Sequence, residues 1–139
     1  MKKQLILLGC VAGMMLVPTK AAAEEETPLG KQMEAMNDAY KALKKETDPV
    51  KGAALAREAQ TAALKSAAET PAMVKEMPEG AEKAKALVAY RKMIGKLYVS
   101  LCEVEEAFIN GKIDEVAKII DVLKEMKKTG HEKFVKEDE

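Results

Sequence analysis

Histidine occurs once in these 139 residues, at position 131, and cysteine twice, at positions 10 and 102. One histidine cannot supply the two inward-facing Glu-x-x-His motifs of a di-iron bundle. No Ser/His/Asp set for nucleophilic catalysis is present. There is no glycine-rich phosphate loop, and no alternation of apolar and polar residues that would read as a strand. An excess of either charge is also missing, since 23 Lys and Arg face 23 Asp and Glu. Nucleic-acid binding demands a basic face and finds no support in that balance.

Long hydrophobic runs are missing except at the start. Met1-Lys2-Lys3 precedes the mostly apolar stretch Leu5 to Leu16, and Lys20 precedes Ala21-Ala22-Ala23. That order of basic, apolar and small residues predicts a secretory signal cleaved near Ala23. The apolar run, about 13 residues, is too short to cross a bilayer. Cys10 follows Leu7-Leu8-Gly9, a faint lipoprotein pattern with too few apolar residues before it. Residues 1–23 are therefore expected to be a signal peptide, and residues 24–139 one exported, periplasmic domain of 116 residues without a membrane anchor. Loss of Lys2, Lys3 and Lys20 leaves 20 basic against 23 acidic residues, a net charge near −3. Only Cys102 remains, expected to be a partly buried inert thiol. The mature chain thus has no intramolecular disulfide and no Cys-x-x-Cys-His site for covalent haem.

What is present is helical periodicity. Pro28 is suited to start a helix, and Leu29, Met33, Met36, Tyr40 and Leu43 recur at steps of four and three. Asp48-Pro49 predicts a second start, and the alanine-rich stretch to Ala68 a second helix with Leu55 and Leu64 as its few large anchors. Residues 69–80, with Pro71, Pro78 and Gly80, read as a long connection whose Met73, Val74 and Met77 fold back onto the helices. Ala81 to Asn110 carries the cleanest seam: Leu87, Tyr90, Ile94, Leu97, Leu101, Val104 and Phe108. Gly95 interrupts it at a small cost, and Gly111 is the expected left-handed terminator. A fourth helix then continues through Ile113, Val116, Ile120 and Leu123. The fold class predicted is all-α, an antiparallel up-down-up-down four-helix bundle.

In the fourth helix the seam fails beside the only histidine. Its next positions are Lys127 and Gly130, before Phe134 restores it. A plain bundle core would carry Leu or Val there; Lys and Gly are expected if something else must fit. Up-down-up-down topology puts the start of helix one and the end of helix four at the same end, with Met33 and His131 at comparable depth. Imidazole nitrogen and thioether sulfur are a competent axial pair for haem iron, filling both positions and favouring electron transfer over catalysis. Spacing alone leaves the plain alternative open, because a lone histidine near a helix end is ordinarily a surface residue and a seam methionine ordinarily fills core. Met36, three residues from Met33 on the same side, is a rival ligand. A haem-free helical bundle that binds proteins in the periplasm is the competing function.

Met33-Glu34-Ala35-Met36-Asn37-Asp38 with Leu43 and Lys45 resembles the first helix of soluble cytochrome b562. Asn110-Gly111-Lys112, Glu115, Leu123-Lys124 and His131-Glu132-Lys133-Phe134 resemble its third turn and last helix. The likeness covers nearly the whole mature chain, strongly at its two ends. It implies one non-covalent haem b with Met33 and His131 as axial ligands, and Met36 packed against the haem face. Tyr90 and Ile94 stand where the family sets aromatic side chains on the porphyrin; Ile94 departs from that pattern. Lys127 stands in the place of a basic residue near a haem propionate, a point charge in place of a planar fork. In the related cytochromes c prime, two linking cysteines stand four and one residues before the histidine. Here those places hold Lys127 and Gly130, so no thioether link forms. The implied role is a monomeric periplasmic electron carrier, not an enzyme, with redox partner proteins that the sequence does not name.

Overall fold

Thr27 and Pro28 begin the first helix. The Thr27 hydroxyl accepts a hydrogen bond from the Gly30 N–H at 2.9 Å, and the proline takes a position whose amide would have had no partner. In the computed structural model, which describes residues 27–135, this helix is α1, Pro28–Leu43. The same device opens α2, Pro49–Ala67, where the Asp48 carboxylate accepts from the Lys51 N–H at 2.8 Å. A short α3, Ala72–Lys75, follows within the long connection. Then come α4, Ala81–Ile109, and α5, Ile113–Phe134. The expected signal peptide and the residues 24–26 before Thr27 lie outside the described residues.

Gly111 ends α4 as its sequence position predicts. Its φ is +69°, the Lys112 N–H reaches the Ala107 carbonyl at 2.8 Å, and the Gly111 N–H reaches the Phe108 carbonyl at 3.0 Å. This left-handed cap satisfies two otherwise orphaned carbonyls and turns the chain directly into α5.

The four long helices pack in sequence order, α1 on α2, α2 on α4 and α4 on α5, each antiparallel to the last. The chain is an all-α antiparallel four-helix bundle, as its periodicity predicts. Leu43, Ile94, Leu101, Val104, Phe108 and Leu123 form the interior, with the small residues of α2 set between them. Burial of each large one is worth about 1.5–3 kcal/mol.

The α2 helix holds its place differently from expectation. Leu64 is 57 % exposed and anchors nothing, while Ala56, Ala59, Ala62, Ala63 and Ser66 are buried. Close approach replaces large side chains: the Phe108 ring lies against the bare backbone of Gly52. Buried Gln60 donates to the Leu101 carbonyl at 3.2 Å and to Glu105 Oε2 at 2.7 Å, and Arg57 donates to Glu105 Oε1 at 2.8 Å. These bonds, Gln60 foremost, hold the Glu105 carboxyl below its ordinary range.

The connection from α2 to α4 does fold back. Val74 in α3 is buried, Met73 and Met77 are half-buried, and α3 packs on both α4 and α5. This caps the end of the bundle where α1 begins and α5 ends.

A candidate haem site at one end of the bundle

The seam between α1 and α5 differs from the other three. It lacks their close backbone approach and is bridged by side chains. Lys127 Nζ on α5 donates to Asn37 Oδ1 on α1 at 2.7 Å and lies 6.0 Å above the Tyr40 ring. That bond fixes the register of two antiparallel helices. One turn from Asn37 toward the start of α1 is Met33; one turn from Lys127 toward the end of α5 is His131. Steps of about one turn in opposite chain directions bring the two residues to a similar height along the bundle.

Each candidate occupies a distinct setting there. Met33 is half-buried and packs against the core; Met36, on the next turn, is buried. His131 is exposed, and its carbonyl accepts the Val135 N–H at 2.9 Å to close the last turn of α5. Gly130 beside it is buried. A Cβ added to Gly130 would stand 3.0 Å from Met93 Sδ and 3.2 Å from Met93 Cε. The failed seam position thus lets a methionine of α4 press on the α5 backbone next to the histidine. Lys127 is exposed, as a solvated lysine would be, yet it is tied to Asn37.

Tyr90 and Ile94 lie deep behind the site, 1 % and 2 % exposed. The Tyr90 hydroxyl donates to the Ser66 carbonyl at 2.8 Å, linking α4 to α2. Its ring meets Phe134 edge-on, with centroids 5.4 Å apart and planes at 75°. Burial, reinforced by the Glu69 carboxylate, pushes the Tyr90 pKa up to about 12. Met93, Asn37 and Phe134 complete the setting. Sequence reasoning gave Phe134 only a place in the seam and assigned Met93 and Asn37 no part; a half-buried methionine off the main seam leaves no periodic signal.

The residues suit a haem better than a bare metal ion. Among the described residues no group of three His, Cys, Asp or Glu is placed to hold a metal by itself. A donor set of one imidazole and one thioether would suit a metal that brings its other ligands with it, as a haem iron does. Leu29, Met33 and Tyr40 on α1 and Phe134 on α5 are apolar side chains that are only partly buried and pack against the core. No helix among the described residues is long and apolar enough to cross a membrane.

Comparison with known proteins agrees with the fold. The family model of cytochrome b562 matches residues 28–135, from the first residue of α1 to the residue after α5. None of the curated proteins compared with the chain matches it. With the match spanning every helix of the bundle, the chain belongs to the cytochrome b562 family, a family of haem-binding electron-transfer cytochromes.

Proposed function

We propose that the mature chain is a periplasmic electron carrier holding one haem b without a covalent link, with the Met33 sulfur and the His131 imidazole as its axial ligands. The observation that supports this reading is the Lys127–Asn37 hydrogen bond, which is consistent with a register that brings Met33 and His131 to a similar height on α1 and α5. Export rests on the basic, apolar and alanine-rich order of residues 1–23.

When bound, haem supplies a one-electron couple, and the protein's part is to hold it and shield it. Met33, on the partly covered flank of α1, presents a soft donor that favours the reduced state. His131 sits exposed on the last turns of α5. Gly130 lets the α5 backbone lie close to Met93, next to the histidine. Lys127 brings a positive charge to the rim, where the acidic edge of a haem finds a partner, while its stem covers apolar surface. Tyr90, pinned between Ser66 and Phe134, keeps α2, α4 and α5 in fixed relation behind the site. Were the Met33 sulfur and the His131 imidazole both to hold the iron, no position would be left for a substrate, and the chain is read as a carrier and not an enzyme on that ground. The absence of cysteine at positions 127 and 130 supports non-covalent binding.

The haem-free protein-binding bundle is the second reading; the family match, over residues 28–135, favours the haem carrier. Adding haem to the mature protein and recording oxidised and reduced spectra tests the proposal. A six-coordinate, low-spin spectrum in the parent that disappears in His131→Ala is expected. A spectrum unaltered in His131→Ala would overturn it.

A further inference from the structure

Between α4 and α5, next to the candidate haem end, the surface carries a shallow groove of about 490 Å³ lined by Lys92, Gly95, Lys96, Val99, Ser100 and Met126. We infer that this groove is the docking surface for an acidic redox partner protein, which seats an apolar side chain on Gly95, Val99 and Met126 while its carboxylates meet Lys92 and Lys96. The inference rests on the electron-carrier reading above and adds the partner's chemistry.

Three observations converge on it. First, the floor is apolar and open: Val99 is 56 % exposed, and no carboxylate lines the groove. Secondly, the rim is basic and unpaired. Residues 83–102 contain Lys83, Lys85, Arg91, Lys92 and Lys96 and no Asp or Glu. Lys83 and Lys85 have Glu79 and Glu82 as partners, but Arg91, Lys92 and Lys96 form no ion pair among the described residues. Lys92 and Lys96 thus put two unpaired positive charges on the groove's rim, with Glu103 and Glu125 on neighbouring positions outside its lining, and positive charge placed so attracts and orients an acidic partner. Thirdly, Gly95 lies in the middle of a 29-residue helix, with nothing of this molecule within 4 Å of where its Cβ would be. Internal packing does not require glycine there, although glycine weakens a helix; an outside group approaching the backbone does. Met126 is one turn from Gly130 and adjacent to Lys127, so a partner seated here lies about one helical turn from the site.

An acidic flavodoxin serves as the probe. In the haem-loaded protein, one electron passes from the reduced flavin to the ferric haem, and stopped flow reads the bimolecular rate. At low ionic strength the pair Lys92→Glu/Lys96→Glu is expected to slow it by about tenfold or more, an effect that high salt removes. Gly95→Gln, which fills the floor without altering charge, is expected to slow it several-fold. A control pair of equal charge change at distant positions, Lys45→Glu/Lys118→Glu, is expected to alter it less than twofold. Equal slowing by both pairs, or by neither, overturns the assignment. So does a dimer of the protein alone, or binding to phosphatidylglycerol vesicles, that the Lys92/Lys96 pair abolishes; either gives the face to a second copy or a membrane. Amide shifts on adding oxidised flavodoxin report docking whether or not haem binds. Shifts centred on Lys92, Gly95 and Val99 support the surface, and shifts elsewhere or none overturn it. Haem spectra recorded on the same samples show separately whether the carrier reading has failed.

Discussion

At the scale of single residues, Gly52, Tyr90 and the pair Met33 and Met36 each give a direct test. Gly52 has no room for a side chain, because the Phe108 ring occupies the place of its Cβ. Gly52→Ala is therefore expected to lower stability by about 1–3 kcal/mol through overpacking, seen as a lower urea midpoint without a changed slope. Tyr90 is the second. Its hydroxyl stays protonated in the fold to about pH 12, whereas an unfolded tyrosine titrates near 10. Its contribution to stability is complete below about pH 10 and is lost as pH rises from there through 12. Tyr90→Phe should cost about 1 kcal/mol at neutral pH and flatten the alkaline fall between 10 and 12, measured by urea unfolding across that range. The third is the Met33/Met36 choice. Met36 is the more buried of the two and Met33 is the proposed ligand, so Met36→Ala should keep the reduced spectrum that Met33→Ala loses.

At the scale of elements, much was legible in advance where side chains are large. The apolar steps of three and four in α1, α4 and α5 foretold those helices and most of their buried residues, because each seam residue must point at a neighbour. The break at Lys127 and Gly130 was equally readable. The α2 helix was not, since alanines give no contrast between a buried and an exposed face; Leu64, expected as an anchor, points to solvent. Nor was α3, only four residues long between two prolines, or the Lys127–Asn37 bridge, which pairs residues ninety apart. The dependence of α2 on close approach is testable. Ala63→Leu, at a fully buried site, should destabilise by about 1–3 kcal/mol, while Leu64→Ala should cost less than about 0.5 kcal/mol, both by thermal or urea unfolding.

At the scale of the whole molecule, three helix seams close by direct packing and the fourth depends on side chains and, on the proposed reading, on haem. A ligand that binds only the folded state stabilises it by about 2.7 kcal/mol at a hundredfold excess over Kd. Haem should therefore raise the melting temperature, and hydrogen exchange should slow most in the first turns of α1 and the last turns of α5. Equal melting with and without haem would count against a built site.

The central claim is that one sulfur and one imidazole face each other across the α1–α5 seam. X-ray absorption at the iron edge of the haem-loaded protein reads those ligands directly. One sulfur and five nitrogen ligands are expected in the parent, with the sulfur lost in Met33→Ala and kept in Met36→Ala. A parent iron without sulfur, or one whose sulfur survives Met33→Ala, would contradict the account.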